Sequence, residues 1–361
     1  MKPILAVTTG DPFGIGPEVC LKAAFSPAVR EVCRPLLIGD RAHLVQVAGR
    51  LPGGVGGDPE NWPEVSRVDS GWGSRQGDDF GLAAWSEGPA FYDLADAPAA
   101  PDRPGPSVAG GRSAVMYIKQ AVALVRTGAA AAAVTAPISK TAMRMAGHDY
   151  PGHTELLADL CGLERDDVAM MFVTQELKVG LVSVHQPLRE AVAGLSRRAV
   201  ESRLCLLQAE HRRWFGTDPR IALCALNPHA GEAGLFGREE EEILMPAAQT
   251  ARAAGVNVAG PFPADTLFAR AVRGEFDVVL SLYHDQATIA VKTRSFGGAV
   301  NITLGLPFLR TSVDHGTAYE IAGEGRADAS SMVQAMVLAA RLAGRAAIRA
   351  GGGADRDQAS R

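Results

Sequence analysis

The sequence predicts an α/β fold built on a mostly parallel sheet. Two observations carry this expectation. Apolar runs alternate with helix-period segments from end to end, the signature of repeated β-α units. The runs are apolar throughout, as expected of strands buried on both faces.

The elements follow in order. ILAVT (4–8) is a buried strand, and a helix opens at Pro17, where proline fits the first turn. PLLIGD (35–40) is a second strand, with a helix at 41–49. Residues 50–80, rich in Gly, Pro, Asp and Ser, are expected to form a surface excursion. A helix at 110–127 leads into AAAVTAP, a strand ending at Thr135. MMFVT (170–174) and VGLVSV (179–184), joined by QELK, predict an antiparallel hairpin. A helix at 197–214 precedes strand IALCAL (221–226), and a helix at 239–254 precedes strand VNVAG. Helix 265–273, strand DVVLSLY (277–283), strand VNITLGL (300–306) and helix 329–349 complete the pattern. Residues 1–349 are expected to form one catalytic unit of two intertwined α/β subdomains, and 350–361 a disordered tail.

Composition narrows the function. The 361 residues are 47% hydrophobic and 21% charged, enough for one large or two medium domains with a substantial core. A net charge of −4 without a basic run argues against nucleic acid as the main partner. No apolar run approaches the roughly 20 residues that span a bilayer, and the start carries no signal-peptide pattern. The five cysteines are dispersed and form no C-x-x-C pair, which fits reduced thiols in the cytoplasm.

Three histidines follow three apolar strands: His185 after VGLVSV, His229 after IALCALNP and His284 after DVVLSLY. Open α/β sheets bind ligands beyond the carboxyl ends of their strands. Three imidazoles placed there suit a divalent ion, although no short spacing such as H-E-x-x-H joins them. Gly152-His153-Thr154-Glu155 opens a helix whose free N–H groups attract anions, or else His153 and Thr154 simply cap it. Lys292, Asn301 and Arg310 border apolar runs and together would hold a phosphate; singly, each reads as solvated surface. No G-x-G-x-x-G fingerprint and no phosphate-loop lysine is present, which argues against a Rossmann site.

Taken together, GDPFGIGPE (10–18), TAPISK (135–140), YPGHTE (150–155), LNPHAGE (226–232), PADTLF (263–268), YHDQ (283–286), VNITLGLPF (300–308) and RTSVDHGTAYEIAGEGRAD (310–328) resemble the 4-hydroxythreonine-4-phosphate dehydrogenases. The resemblance runs in order from about residue 4 to 345; the 50–108 region carries none of it. It implies an isocitrate/isopropylmalate dehydrogenase-like fold, two α/β domains with the active-site cleft between them, in a homodimer with shared active sites. It implies one divalent ion per site, Zn²⁺, Mg²⁺ or Co²⁺, on His185, His229 and His284, the first coming from the partner subunit. It implies substrate binding by His153, Thr154, Lys292, Asn301 and Arg310. The D-H-G-T-A…I-A-G-x-G stretch resembles the loop that holds the adenosine half of NAD or NADP in the wider fold, which implicates His315, Gly316, Thr317 and Asp328.

The implied reaction oxidises a secondary alcohol to a β-keto acid that loses CO₂, with Asp265 and Asp285 as candidate proton acceptors. Retention of His153, Asn301 and Arg310 argues against a related branch that acts on a non-phosphorylated cyclohexadiene diol dicarboxylate. Three other readings stay open: a dehydrogenase of a four-carbon sugar-acid phosphate such as threonate 4-phosphate, a metal-dependent non-redox enzyme on a phosphorylated sugar acid, and a non-catalytic sensor of a phosphorylated ligand.

Overall fold

The computed structural model describes residues 2–56, 58–65, 85, 88–96, 104–295 and 297–358. In chain order these form β1 (Ile4–Thr8), α1 (Gly16–Ala24), α2 (Pro27–Val32), β2 (Arg34–Gly39), α3 (Arg41–Ala48), β3 (Glu64–Val65), β4 (Ala90–Asp93), α4 (Val108–Arg126), β5 (Ala132–Thr135), α5 (Lys140–Met145) and α6 (His153–Cys161). There follow β6 (Ala169–Val173), β7 (Lys178–Leu181), α7 (Leu188–Ala193), α8 (Arg197–Phe215), β8 (Ile221–Cys224), α9 (Met245–Ala253), β9 (Val258–Phe262), α10 (Ala264–Val272), β10 (Val278–Ser281), α11 (His284–Arg294), β11 (Val300–Leu304), β12 (Arg310–Ser312) and α12 (Ser330–Gln358). No helix among the described residues is long and apolar enough to cross a membrane.

The chain forms two compact units. The first comprises Met1–Gly162 and Leu306–Arg361, the second Leu163–Gly305. In the first unit the strands run in the order β3-β4-β2-β1-β5-β12, and every pairing is parallel. β2, β5 and β12 are buried along their whole length and β1 from Leu5 on. The chain leaves β1 toward β2 and returns to place β5 on its other side. The loops after β1 and β5 therefore flank a topological switch point, where sheets of this kind bind ligands. These loops are stitched together: Asp11 N–H donates to the Pro137 carbonyl at 3.0 Å.

In the second unit the order is β11-β6-β7-β10-β8-β9. β6 pairs antiparallel with both β11 and β7, as the hairpin reading expects, and β7, β10, β8 and β9 are mutually parallel. Val179, Leu181, Ala222, Cys224, Val279 and Leu267 share one apolar core there.

Local chemistry explains several boundaries. Ser107, Ser139 and Ser196 cap α4, α5 and α8, each hydroxyl accepting a backbone N–H of the first turn. Asp40 does the same for α3 through His43 N–H at 2.7 Å. Besides the short helices α2, α5 and α7, which it omits, the sequence reading needs five changes. The helix expected at 239–254 is a π-helical turn, Glu240–Leu244, followed by α9. His284 is the first residue of α11, a helix that the sequence reading omits. Arg310 begins a buried strand of its own. α12 continues to Gln358, past the tail boundary at 349, because each residue added to a nucleated helix gains one hydrogen bond. Within the expected surface excursion lies β3, and beyond it β4, both in the sheet; the rest of 66–84 lies outside the described residues.

Gly10 illustrates how tightly the loop after β1 is built. Its φ is +73°, and a methyl group there would run into the Pro137 carbonyl oxygen. Gly10→Ala should cost at least about 2 kcal/mol, from the left-handed backbone plus the clash. Urea unfolding checks this; a loss of only a few tenths would show that the two loops are not held together as described.

Candidate functional site

The histidines after β7, β8 and β10 leave three neighbouring parallel strands at the same edge of the second unit. His185 and His284 come together, their ring centroids 5.5 Å apart. Two imidazoles bound to one tetrahedral ion stand with centroids roughly 5 Å apart, so this spacing fits chelation. The loops are knitted to bring them there: Val182 N–H and Ser183 N–H donate to the carbonyls of Ser281 and Leu282, and Ser183 Oγ adds a bond of 2.8 Å to Leu282. Gln286, nearly buried, accepts from Leu282 N–H at 2.8 Å and donates to the Ala225 carbonyl at 2.9 Å, tying the end of β10 to that of β8. A cavity of about 180 Å³ opens beside the pair, lined by Val184, His185, Leu188, Tyr283, His284 and Asp285.

Asp285 Oδ1 lies 2.7 Å from His284 Nδ1. A carboxylate only accepts, so Nδ1 carries the proton and Nε2 is left as a lone-pair donor, the usual arrangement of a metal-binding histidine. This use conflicts with the expectation that Asp285 is a proton acceptor. His229 has the same support: its Nδ1 is 2.9 Å from Glu232 Oε2, which holds the imidazole above its ordinary pKa. Among the described residues no three metal-ligating side chains of one chain converge. The resemblance assigns His185 to the partner subunit; within this chain the ring of His185 lies beside that of His284.

The turn that carries His229 is unusual. His229, Ala230, Gly231, Glu232, Ala233 and Gly234 all have positive φ. Each non-glycine residue in that region costs roughly 1–2 kcal/mol, so surrounding contacts must hold the turn. Asp265, in the first turn of α10, is the other carboxylate whose field reaches His229.

In the first unit, Arg310 is 1% exposed, so the reading of a surface charge is excluded. Its guanidinium donates to Thr135 Oγ1 from Nε at 3.2 Å and Nη2 at 2.6 Å. Burial pushes its pKa down to about 9, against the opposing pull of Glu155, so it remains a cation near neutrality. His153 opens α6 and meets the Ala136 backbone carbonyl, while its Nε2 is buried with no partner. Burial, and then the Arg310 charge, hold its pKa well below the ordinary value, so it is neutral. Thr154 is next along α6. A buried cation beside an unpartnered imidazole nitrogen at a helix start suits an anion. In the second unit, Lys292 is exposed on α11, and Asn301 lies in β11 opposite Phe172 with a buried, unpartnered Oδ1.

The loop 314–328 is clamped to the start of α1. Ile15 N–H donates to the Thr317 carbonyl at 2.9 Å, and a side chain at Gly14 would collide with that oxygen. Tyr319 Oη donates to the buried Asp11 at 2.6 Å. Glu18, 1% exposed, accepts from Ala327 N–H at 2.7 Å and Gly325 N–H at 3.2 Å. Lys22 donates to Glu18 at 2.7 Å and to the carbonyls of Gly325 and Ala327, both at 2.8 Å. His315 Nε2 is buried without a partner, Gly316 is exposed, and Asp328 caps α12 through Ser330. Sequence reasoning missed Asp11, Glu18, Lys22 and Gln286, although the first two lie in the quoted GDPFGIGPE block.

Comparison with known proteins gives the family. Residues 31–339 match the family described as pyridoxal phosphate biosynthetic protein PdxA. The chain belongs to the PdxA family. It is 42% identical to a 4-hydroxythreonine-4-phosphate dehydrogenase of Geobacter metallireducens, covering 95% of this chain and 96% of that protein. It is 44% identical to the D-threonate 4-phosphate dehydrogenase of Cupriavidus necator, covering 96% and 98%. A crystal structure of 4-hydroxythreonine-4-phosphate dehydrogenase from Klebsiella pneumoniae superposes with a TM-score of 0.81 at 38% identity, covering 95% of this chain and all of that one. The PdxA family thus accounts for the α/β fold and for the order of the motifs.

The buried histidines give this PdxA chain a definite acid response. His153 is depressed in the folded state, and so are His43 and His211, each chiefly by burial. The unfolded chain then binds more protons, so stability should fall as pH drops below the ordinary value of 6.5, by up to about 1.4 kcal/mol per pH unit for each such group. His153→Gln should flatten the slope of unfolding free energy roughly between pH 7 and 5. An unchanged slope would show that His153 is not held neutral by its surroundings.

Proposed function

We propose that the chain is a metal- and NAD(P)-dependent dehydrogenase that oxidises the secondary alcohol of a 4-phosphorylated four-carbon hydroxy acid. The first substrate is 4-phosphohydroxythreonine. Its product, 2-amino-3-oxo-4-phosphooxybutanoate, decarboxylates to 3-amino-2-oxopropyl phosphate on the way to pyridoxal phosphate. Threonate 4-phosphate is the second reading, favoured by the 44% identity to an enzyme of that name. The observation that carries the proposal is the His185–His284 pair, with Asp285 orienting one ring.

In this reading His185 and His284 of one chain hold a divalent ion, Zn²⁺, Mg²⁺ or Co²⁺, and His229 of a second copy completes the set. When bound, the ion supplies Lewis acidity toward the substrate hydroxyl, and NAD or NADP supplies the hydride acceptor. Asp285 fixes His284, which leaves Asp265 to take the alcohol proton. Arg310 and neutral His153 bind the phosphate, helped by Thr154 and the first turn of α6, while Lys292 and Asn301 of the second unit keep the substrate-binding role that the resemblance implies. His315, Gly316 and Thr317 receive the adenosine half of the dinucleotide, with Asp328 fixing the end of that loop. Exposed Leu188 and Ile289 on the His185–His284 side, and Leu235 and Phe236 beside His229, give the second copy apolar surface to cover.

Measuring NAD(P)H formation on the two substrates tests the reading. The ratio of kcat/KM identifies the substrate, and no formation on either with either dinucleotide would overturn the proposal. Pairwise mixing of inactive variants tests how the histidines are shared. His185→Ala with His229→Ala, and His284→Ala with His229→Ala, should each recover activity, because a hybrid dimer regains one complete site. His185→Ala with His284→Ala should recover none; recovery there would mean that these two histidines serve different sites.

Arg310→Ala should lower kcat/KM on the phosphorylated substrate by about 10- to 100-fold, the worth of one or two charge-assisted hydrogen bonds. Arg310→Lys should rescue only partly, since the planar fork is lost. The dephosphorylated substrate should be poor for the wild type and little worse for Arg310→Ala. Equal fractional losses on both would remove the phosphate assignment.

A further inference from the structure

We infer that Glu240 is a positioning residue that holds the His229 turn in its ligand-presenting conformation. This inference rests on the metal reading above. Glu240 is 2% exposed, alone among the four consecutive glutamates 239–242 in being fully buried. Its Oε1 accepts from Leu226 N–H and Asn227 N–H, both at 2.8 Å, at the entry to the turn. Its Oε2 accepts from Asn227 Nδ2 at 2.9 Å and lies where a side chain at Gly231 would stand, 2.8 Å from the Cβ position, at the middle of the turn. One carboxylate therefore holds the two residues that lead into the left-handed run 229–234 and occupies the space where a side chain at its centre would stand. Asn227 Nδ2 also reaches Glu239 at 2.7 Å, which keeps the amide facing the two carboxylates.

The backbone at Glu240 is itself specialised. It opens the π-helical turn Glu240–Leu244, and π-turns recur at functional sites because the extra residue redirects a side chain. Within the turn, backbone bonds of Ala230 to Asn227, Glu232 to His229 and Gly234 to Gly231 span three residues each. They close the turn on itself and do not fasten it to the core. Glu240 ties the entry of the turn to the buried start of the π-helical segment. The residue that pays for the strained backbone elsewhere in the fold is thus separate from Glu232, which touches the imidazole itself.

Glu240→Gln tests this with the size of the side chain kept. An amide in this position still accepts from the two backbone N–H groups but turns a donor toward Asn227 Nδ2. Co²⁺ or Zn²⁺ is titrated by calorimetry into full-length, metal-stripped protein at fixed pH. The Kd of Glu240→Gln should rise about 10- to 100-fold, the range for residues that orient a metal ligand. Trypsin cleavage after the exposed Arg238 should become at least about fivefold faster, since a loosened turn opens locally. Should Glu240→Gln fail to fold, Asn227→Ala, which removes the side-chain donor shared by Glu239 and Glu240 and leaves both carboxylates in place, carries the same test and the same expectation. A purely structural role would lower the urea midpoint and leave the Kd of the folded protein unchanged, which overturns the inference. His229→Ala is the control. If it binds metal as tightly as the wild type, the metal reading fails and this inference with it; if it loses affinity while Glu240→Gln and Asn227→Ala do not, the inference alone is overturned.

Discussion

A strand covered on both faces can carry polar chemistry only beyond its ends, because an unpaired polar group along its length would be buried without compensation. β2, β5, β7, β8, β10 and most of β1 obey this: their residues are almost wholly apolar and buried, and the polar side chains gather where they stop. Asp11 follows β1, Ser139 follows β5, and His185, His229 and His284 follow three neighbouring strands of the second unit. Apart from strand hydroxyls, larger polar side chains also lie buried within strands: Arg34 in β2, Asn301 in β11 and Arg310 in β12. Arg310 leans on Thr135, the residue paired in register with Ser312, and Asn301 keeps one oxygen without a partner. A polar group kept at that cost in a sheet interior belongs to a binding surface more readily than to the scaffold.

The loops beyond those strand ends are not rigid by composition, being rich in glycine, so something must make them so. The same device recurs three times: a buried carboxylate that accepts backbone N–H groups of an irregular segment. Asp11 accepts from Phe13 N–H and Tyr319, Glu18 from Gly325 and Ala327, and Glu240 from Leu226 and Asn227. The donors oppose the desolvation of each carboxylate, though at Asp11 burial outweighs them and holds its pKa above the ordinary value. At Glu18 the balance is completed by Lys22, whose remaining donors satisfy the carbonyls of the same loop. The loops can then present His229, His315 and Thr317 without being packed themselves.

Much of the fold was legible in sequence because its signal is periodic and local. Continuous apolar runs marked the strands, and the QELK link between two of them marked the hairpin. α11 escaped because its apolar residues are spread around the helix and give no one-sided stripe. That Asp285 Oδ1 would meet the His284 ring was not legible either, because two residues adjacent in sequence reveal their hydrogen bond only once the backbone between them is fixed. Glu240 had no distinguishing sign, since nothing local tells which of four adjacent glutamates points inward. Glu18 and Lys22 have partners about 300 residues away, a pairing that no window along the chain contains.

By itself the sequence determined the α/β class, the family and the identity of the polar residues at the strand ends, because each is written in local pattern and in motif order. The tertiary structure decided which of those residues meet. β10 lies between β7 and β8, so His284 is adjacent to the strands of both other histidines, yet the loops bring it to His185 and leave His229 on its own left-handed turn. Strand order also buried Arg310 between β5 and the chain that follows, turning an apparent surface charge into a desolvated cation. These outcomes depend on which strands pair across long sequence separations, and that is settled by the packing of the whole sheet, not by any segment of it.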